Sequence, residues 1–420
     1  MIDAPQTAHP WRALGSPWVL LRDNGTQASQ PAKPLAGGWA YSGDPTKLPD
    51  GLEASTGGWA YRTPPFSHAQ AWYATNPDGS LKALGNDPLA VARAIGADID
   101  PSALVDDLLI GFRADGRSAF AGVMPCGSAQ AMEYSPAGVR SVAPQEQPGL
   151  DHLGERVARA MNDGACIELT GGVDSRLLLS MGVNAGGKPT KSFTIGRDGD
   201  PDVTVARQIS EVLGMEHRTL TADIDREHLA DDTRAFAAQS GFVCNAAAYG
   251  WLPTIFRTLA PWRTAQLSGV GGEIGEGFYY SGFDGVFQKL NSPRLWLRAR
   301  VMVDGGRWAD CFEPGTFKRR LNEIARQRPE LNTREPWRVR TDGFYTHARI
   351  HGWAIPVIRA SAGWYEPITP FLSGEYHTWA RSLTGEQMYN RAAQRQLIER
   401  LSPQLAALPY AKQLASPAGG

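Results

Sequence analysis

Cysteine is scarce in this 420-residue chain: Cys126, Cys166, Cys244 and Cys311 are scattered, without the paired spacings of a zinc site or a disulfide framework. A reducing cytoplasm is the simplest home for such a chain. An excess of one charge is also missing, since 42 basic residues face 43 acidic ones and the formal net charge is −1. Bulk electrostatics therefore gives no reason to expect a nucleic-acid partner, and the short run Lys318-Arg319-Arg320 reads as a solvated helix face. No unbroken apolar run reaches membrane-spanning length and no charged-then-apolar leader opens the chain, so no membrane association is expected. The length suits two domains, and the polar, proline-rich stretch Ala143-Pro144-Gln145-Glu146-Gln147-Pro148 marks the boundary between residues 1–148 and 149–420.

What the chain does have is a glycine-rich, hydroxyl-bearing loop between a short apolar strand and a helix. Cys166 to Leu169 reads as a buried strand, while Ser175 to Val183 carries apolar residues at helical spacing and stops at Asn184-Ala185-Gly186-Gly187. The loop between them, Thr170-Gly171-Gly172-Val173-Asp174-Ser175, thus opens a helix. Unpaired amides of a helix's first turn favour an anion, and glycines let the backbone approach oxygen atoms closely. Thr170 and Ser175 add hydroxyl donors. Asp174 would repel phosphate, so its expected work is to hold a Mg²⁺ bridging phosphates. The plain alternative is a tight strand-to-helix turn with no ligand. Beyond the loop, Thr190 to Ile195 reads as the next strand and Pro201 to Leu213 as a helix, with Asp200 as cap, Gly214 at its end and an inner stripe of Val205, Ile209, Val212 and Leu213. Glu216 to Leu220 supplies another strand. This alternation is that of an α/β parallel sheet.

The loop resembles the Ser-Gly-Gly-x-Asp-Ser pyrophosphate loop of the asparagine synthetase-like ATP-pyrophosphatase enzymes, with Thr170 for the first serine. Ser-Phe-Thr-Ile195-Gly, Asp202 and Leu-Gly-Met-Glu-His217 resemble that family's next segment. Ser268-Gly269-Val270-Gly271-Gly272-Glu273 is similar to its second loop, with Val270 in place of a glutamate close to the reacting centre. Tyr365 to Leu372 resembles a later stretch but lacks its arginine, and Leu401 to Ser416 resembles the segment that carries a catalytic lysine, here Lys412. The resemblance covers about the last two thirds of the chain. It implies ATP and Mg²⁺ as cofactors, nucleotide contacts from Leu169 to Ser175 and from Ile195, Ser268 and Gly269, and Asp174 and Glu273 as metal ligands. Lys412 would stabilise charge developing on phosphate and acyl oxygens. Tyr365 and Glu366 are the candidates to deprotonate the attacking amine in place of the glutamate missing at Val270.

The first third reads as hairpin-rich β structure. Gly37 to Tyr41 and Gly57 to Tyr61 repeat one aromatic pattern, expected as paired strands of one sheet; Ala71 to Ala74 runs into the turn Asn76-Pro77-Asp78-Gly79, and Ala129 to Tyr134 faces Val139 to Val142. Asn86-Asp87-Pro88 and the Ser118-to-Tyr134 region resemble a shortened glutaminase domain of the same family, but position 2 is Ile2 where that domain has its nucleophilic cysteine. The nitrogen nucleophile is then expected to come with the substrate, as in β-lactam synthetases and lasso peptide cyclases. Arg226 to Gln239 and the region from Leu295 to Arg400 read as helices, with Trp296, Trp308, Trp337, Trp353, Trp364 and Trp379 as core and His347 and His351 on one helix face.

These readings converge on an ATP-dependent ligase that adenylates a carboxylate of a small molecule or peptide, releases pyrophosphate and forms an amide with an amine. No nucleic acid is expected among its partners, and self-association into a homo-oligomer is compatible with the sequence. Two alternatives stand beside it: a degenerate relative that binds nucleotide and acts as a partner protein, and an enzyme that activates RNA, for which a basic face and reactive cysteines would be expected.

Overall fold

The computed structural model describes residues 71–127, 131–142, 149–222, 226–279, 284–302 and 309–415, with the shorter pieces 19–22, 33–35, 39–42, 52–55, 58–63 and 66. The chain is an α/β protein whose five-stranded parallel sheet is preceded by antiparallel β structure. We number the parallel strands β1 (Cys166–Glu168), β2 (Lys191–Ile195), β3 (Glu216–Leu220), β4 (Ala265–Leu267) and β5 (Glu366–Ile368). Their spatial order is β3-β2-β1-β4-β5, so β1 lies at the centre and the chain reverses direction across the sheet there. Such a switch point opens a crevice at the carboxyl ends of the strands.

The helices that cover this sheet follow the apolar spacing in the sequence. Helix α1 (Leu150–Asn162) buries Leu153, Val157 and Met161, and α2 (Val173–Asn184) buries Leu177, Leu178 and Leu179. Each fully buried leucine contributes about 1.5–3 kcal/mol relative to exposure. A Cβ on Gly182 would lie 2.5 Å from Cε of Met161, so only glycine lets α1 and α2 come this close. Helix α3 (Pro201–Leu213) has the expected bounds, with Pro201 in its first turn and Gly214 left-handed at its end. Its inner face differs in part from the expected stripe: Val203, Val205, Ala206 and Ile209 are buried, whereas Val212 is 46% exposed. Asp200 precedes the helix, but its carboxylate accepts from the amide of Arg197 instead of capping.

The amino-terminal third forms two antiparallel sheets. The repeated aromatic strands separate, in contrast to the expectation: Trp39–Ser42 belongs to the six-stranded sheet and Gly58–Thr63 to the four-stranded one. Strand Trp72–Thr75 turns through Gly79, at φ +82°, into Leu81–Gly85, and Met132–Ser135 pairs with Gly138–Ser141. Asp87 caps helix Pro88–Ile95 through the amide of Leu89. Position 2, the Ala143-to-Pro148 boundary and Trp308 lie outside the described residues.

The antiparallel part is locked to the helical region by buried ions. Arg320 is buried, not solvated as expected, and its guanidinium meets Asp106 of helix Pro101–Leu109 at 2.5 and 2.8 Å. Arg113 donates to Asp107 at 3.0 Å and to the carbonyl of Phe242. Trp296 and Trp337 are core residues, as their type and spacing suggested, while Trp353, Trp364 and Trp379 are partly buried. Among the described residues no helix is long and apolar enough to cross a membrane.

Candidate active site

The first glycine loop leaves β1 at its carboxyl end, on the central strand of the sheet. Side chains hold it open in one shape. The Ser175 hydroxyl accepts from the amide of Thr170 at 3.1 Å and lies 3.2 Å from the Thr170 hydroxyl, which in turn accepts from the amide of Gly172 at 3.1 Å. Asp202, in the first turn of α3, accepts from the amide of Gly171 at 2.8 Å. Leu169 is buried, and its carbonyl accepts from the Thr194 hydroxyl at 2.6 Å, tying the loop to β2. Ile195, the last residue of β2, is half-buried beside Phe193 and Leu220.

Glycine is required at position 171 because another part of the chain lies against it. A Cβ there would stand 2.7 Å from Cβ of Ala411, whose amide donates to the Gly171 carbonyl at 3.0 Å. Ala411 opens the short helix α4 (Ala411–Ala415), so Lys412 is brought to the loop. The residue that delivers it is Arg176, the next after Ser175. Its buried guanidinium donates to the carbonyls of Leu405, Leu408 and Pro409 at 3.0, 2.7 and 2.6 Å, and lies 3.9 Å from the ring centre of Tyr410. One motif thus shapes the glycine loop and anchors the lysine-bearing segment against it.

The second glycine loop, after β4, faces the first across Asp174. A Cβ on Gly272 would lie 2.4 Å from a carboxylate oxygen of Asp174, and one on Gly269 would lie 3.0 Å from the amide of Ser175. Gly271 is left-handed, at φ +93°, and its amide donates to the Glu273 carboxylate at 3.1 Å. Burial, followed by repulsion from Asp174 and Glu276, pushes the Glu273 carboxyl up to about 7. Asp174 is likewise raised, because its burial outweighs the attraction of Arg391, Gln394 and Lys412. Asp174 accepts from Arg391 at 2.7 Å and from Gln394 at 3.2 Å, and Arg391 also pairs with Glu276. Arg391 and Asn390 are both left-handed, at φ +60° and +51°, an unfavourable pair that turns this arginine into the carboxylates. Gln394 Nε2 also donates to the Gly272 carbonyl at 2.9 Å, where the Tyr376 hydroxyl donates too.

Two half-buried carboxylates close enough to repel, both hard oxygen donors, would suit a Mg²⁺. Among the described residues no group of three or more His, Cys, Asp or Glu is placed to hold a metal, so the remaining ligands would be phosphate and water.

Arg176, Arg391, Gln394, Glu276 and Tyr376 were not singled out by sequence. Arg176 follows directly on the loop motif, and an arginine amid an otherwise apolar helix face was the signal available; the others are joined only by long-range packing. Conversely, the structure does not bring Tyr365 and Glu366 to the loops, which corrects the expectation of an amine base there. Glu366 is exposed at the amino end of β5, where it pairs with Ala265, about 10 Å of strand from Ser268 at ~3.3 Å per residue. Tyr365 is buried under the Arg263 guanidinium at 3.7 Å, and burial raises its hydroxyl to about 12. Ser268 is at the right strand end, but its hydroxyl is committed to Glu168 at 2.8 Å. His347 and His351 lie on one π-helical stretch, both depressed by burial, His351 to about 3.

No curated protein matches the chain. Among solved structures it is similar to an NMN synthetase from Francisella tularensis, with 14% identity, a TM-score of 0.23, and coverage of 45% of this chain and 98% of that one. It is also similar to an NH3-dependent NAD synthetase from Campylobacter jejuni subsp. jejuni, with 12% identity, a TM-score of 0.22, and coverage of 44% and 93%. Residues 150–273, which run from α1 through both glycine loops to Glu273, match the asparagine synthase family model.

Proposed function

We propose that the chain is an ATP-dependent, amide-forming ligase that adenylates a carboxylate, releases pyrophosphate and passes the acyl group to an amine carried by the substrate. The observation that carries this reading is the convergence of Thr170–Ser175, with Asp174 in it, Glu273 and Lys412 from three separated segments at one end of the sheet. With the amides of Thr170, Gly171 and Gly172 committed to side chains, the amides that open α2 and the hydroxyls of Thr170 and Ser175 cradle the β- and γ-phosphates. Asp174 and Glu273 would hold Mg²⁺, which when bound would supply charge neutralisation to phosphate. A substrate carboxylate oxygen forms a bond to the α-phosphorus as the bond to the bridging oxygen of pyrophosphate breaks. Lys412 offsets the negative charge that grows in this step and again when the amine displaces AMP. Val270 offers no proton acceptor where the resemblance expects one, which favours a substrate amine that arrives already poised for attack; it is also the observation behind a second reading, a nucleotide-binding partner protein without turnover.

Lys412→Ala separates these readings. Binding of a non-hydrolysable ATP analogue with Mg²⁺, followed by calorimetry, should stay within a few-fold of wild type, whereas pyrophosphate release on incubation with cell extract and ATP should fall by about 10²-fold or more, the usual cost of one electrostatic group. Wild-type protein that binds the analogue and releases no pyrophosphate with any extract fraction would favour the partner protein.

A further inference from the structure

A cavity of about 110 Å³ lies beside the second glycine loop, and Glu273 belongs to both. Its opposite wall is the start of the π-helical stretch Tyr345–Ala354. Runs of this kind are uncommon and concentrate at functional sites. Tyr345 is 2% exposed, its ring stacks on Phe278 at 4.8 Å, and its hydroxyl has no hydrogen-bond partner although buried. A buried phenol left without a partner destabilises the fold, a penalty removed if a ligand oxygen completes it. Burial, reinforced by Glu273, keeps that phenol protonated, so it serves as a donor and not as a base.

The rest of the lining restricts what could enter. His347 and His377 are depressed by burial, His377 to about 4, and stay neutral near pH 7. Arg338 is tied to Asp342 at 3.3 Å. Arg381 differs: among the described residues no carboxylate pairs with it, and it depresses both histidines. The lining thus combines a buried neutral donor, Tyr345, two apolar side chains, Phe278 and Met388, and the exposed Arg381, which among the described residues has no carboxylate partner.

We propose that this cavity is the acid-substrate pocket, in which the Tyr345 hydroxyl donates to the carboxylate about to be activated and Arg381 receives a second anionic group of the same molecule. The substrate class is a dicarboxylate or an acid with an equivalent distal anion. This assignment rests on the ligase reading for its role, though not for its test.

The full chain labelled with [¹³Cζ]tyrosine carries twelve tyrosines; Tyr345→Phe identifies the resonance of Tyr345. Glutarate and butyrate, titrated without nucleotide, are the probes. Glutarate should shift the Tyr345 signal saturably and bind at least about tenfold more tightly than butyrate, the worth of one charge-assisted hydrogen bond. Arg381→Gln, at an exposed position that should not disturb folding, should remove that advantage and leave butyrate binding unchanged. A Tyr345 signal that neither acid moves, or an Arg381→Gln protein that still prefers glutarate, overturns the proposal. Calorimetry with the non-hydrolysable ATP analogue distinguishes the two readings: nucleotide bound but acids ignored sinks the pocket alone, and acids bound but nucleotide ignored sinks the ligase alone.

Discussion

Gly171 shows how much a single missing side chain decides. Any Cβ at this position displaces Ala411, and with it the helix that presents Lys412. Gly171→Val should therefore weaken binding of the Mg²⁺-bound ATP analogue by at least about tenfold in calorimetry, since an overpacked contact costs typically 1–3 kcal/mol. The corresponding change at Gly164, where a Cβ would meet nothing within 4 Å but φ is +85°, strains only the turn before β1. Gly164→Ala should cost stability while leaving nucleotide affinity alone; equal loss of affinity in both variants would mean that contact with Ala411 is irrelevant.

Among the elements, the strand–loop–helix unit was legible because it changes hydrophobic period within ten residues and carries its function in consecutive side chains. Helix α3 was legible to its exact bounds, as Pro201 and Gly214 mark its two ends. Val212 was misassigned because an apolar residue at the right spacing near a helix end meets no neighbour. Tyr365 and Glu366 were misplaced because resemblance gives order along the chain, whereas the glycine loops gather at the opposite end of a strand only three residues long. The π-helical stretch left no periodic mark in the sequence. It does leave a measurable one in solution. His351, depressed to about 3 against about 6.5 when unfolded, binds a proton more readily in the unfolded chain between those values. Its contribution to stability is complete above pH ~6.5 and is lost as pH falls. Between pH 7 and pH 5 this histidine alone should lower the unfolding free energy by about 2 kcal/mol, at ~1.36 kcal/mol per pH unit below 6.5. Denaturant melts of His351→Leu at the two pH values should show a drop smaller by that amount; an unchanged drop would mean the ring is not held neutral.

For the whole molecule, the ion pair between Arg320 and Asp106 joins the amino-terminal third to the helical region that walls the cavity. Sequence could not show it, because 214 residues separate the partners and each looks like an ordinary surface charge. Arg320→Leu leaves a fully buried carboxylate with only Arg117, at 3.9 Å, as counter-ion and should destabilise the chain in urea unfolding, by up to about 3 kcal/mol. The double variant with Asp106→Leu should recover much of that loss. If Arg320→Leu were neutral, the two regions would not depend on this pair for their union.

The grip of Arg176 on Leu405, Leu408 and Pro409 ties seating of the segment around Lys412 to the shape of the first glycine loop. Linkage then requires that whatever fills the loop also favour the seated segment: nucleotide should slow proteolytic cleavage between Leu405 and Lys412, and the cleaved protein should bind nucleotide more weakly. The segment from Leu405 to Lys412 is in that sense a reporter of occupancy, readable by mass without knowledge of the reaction.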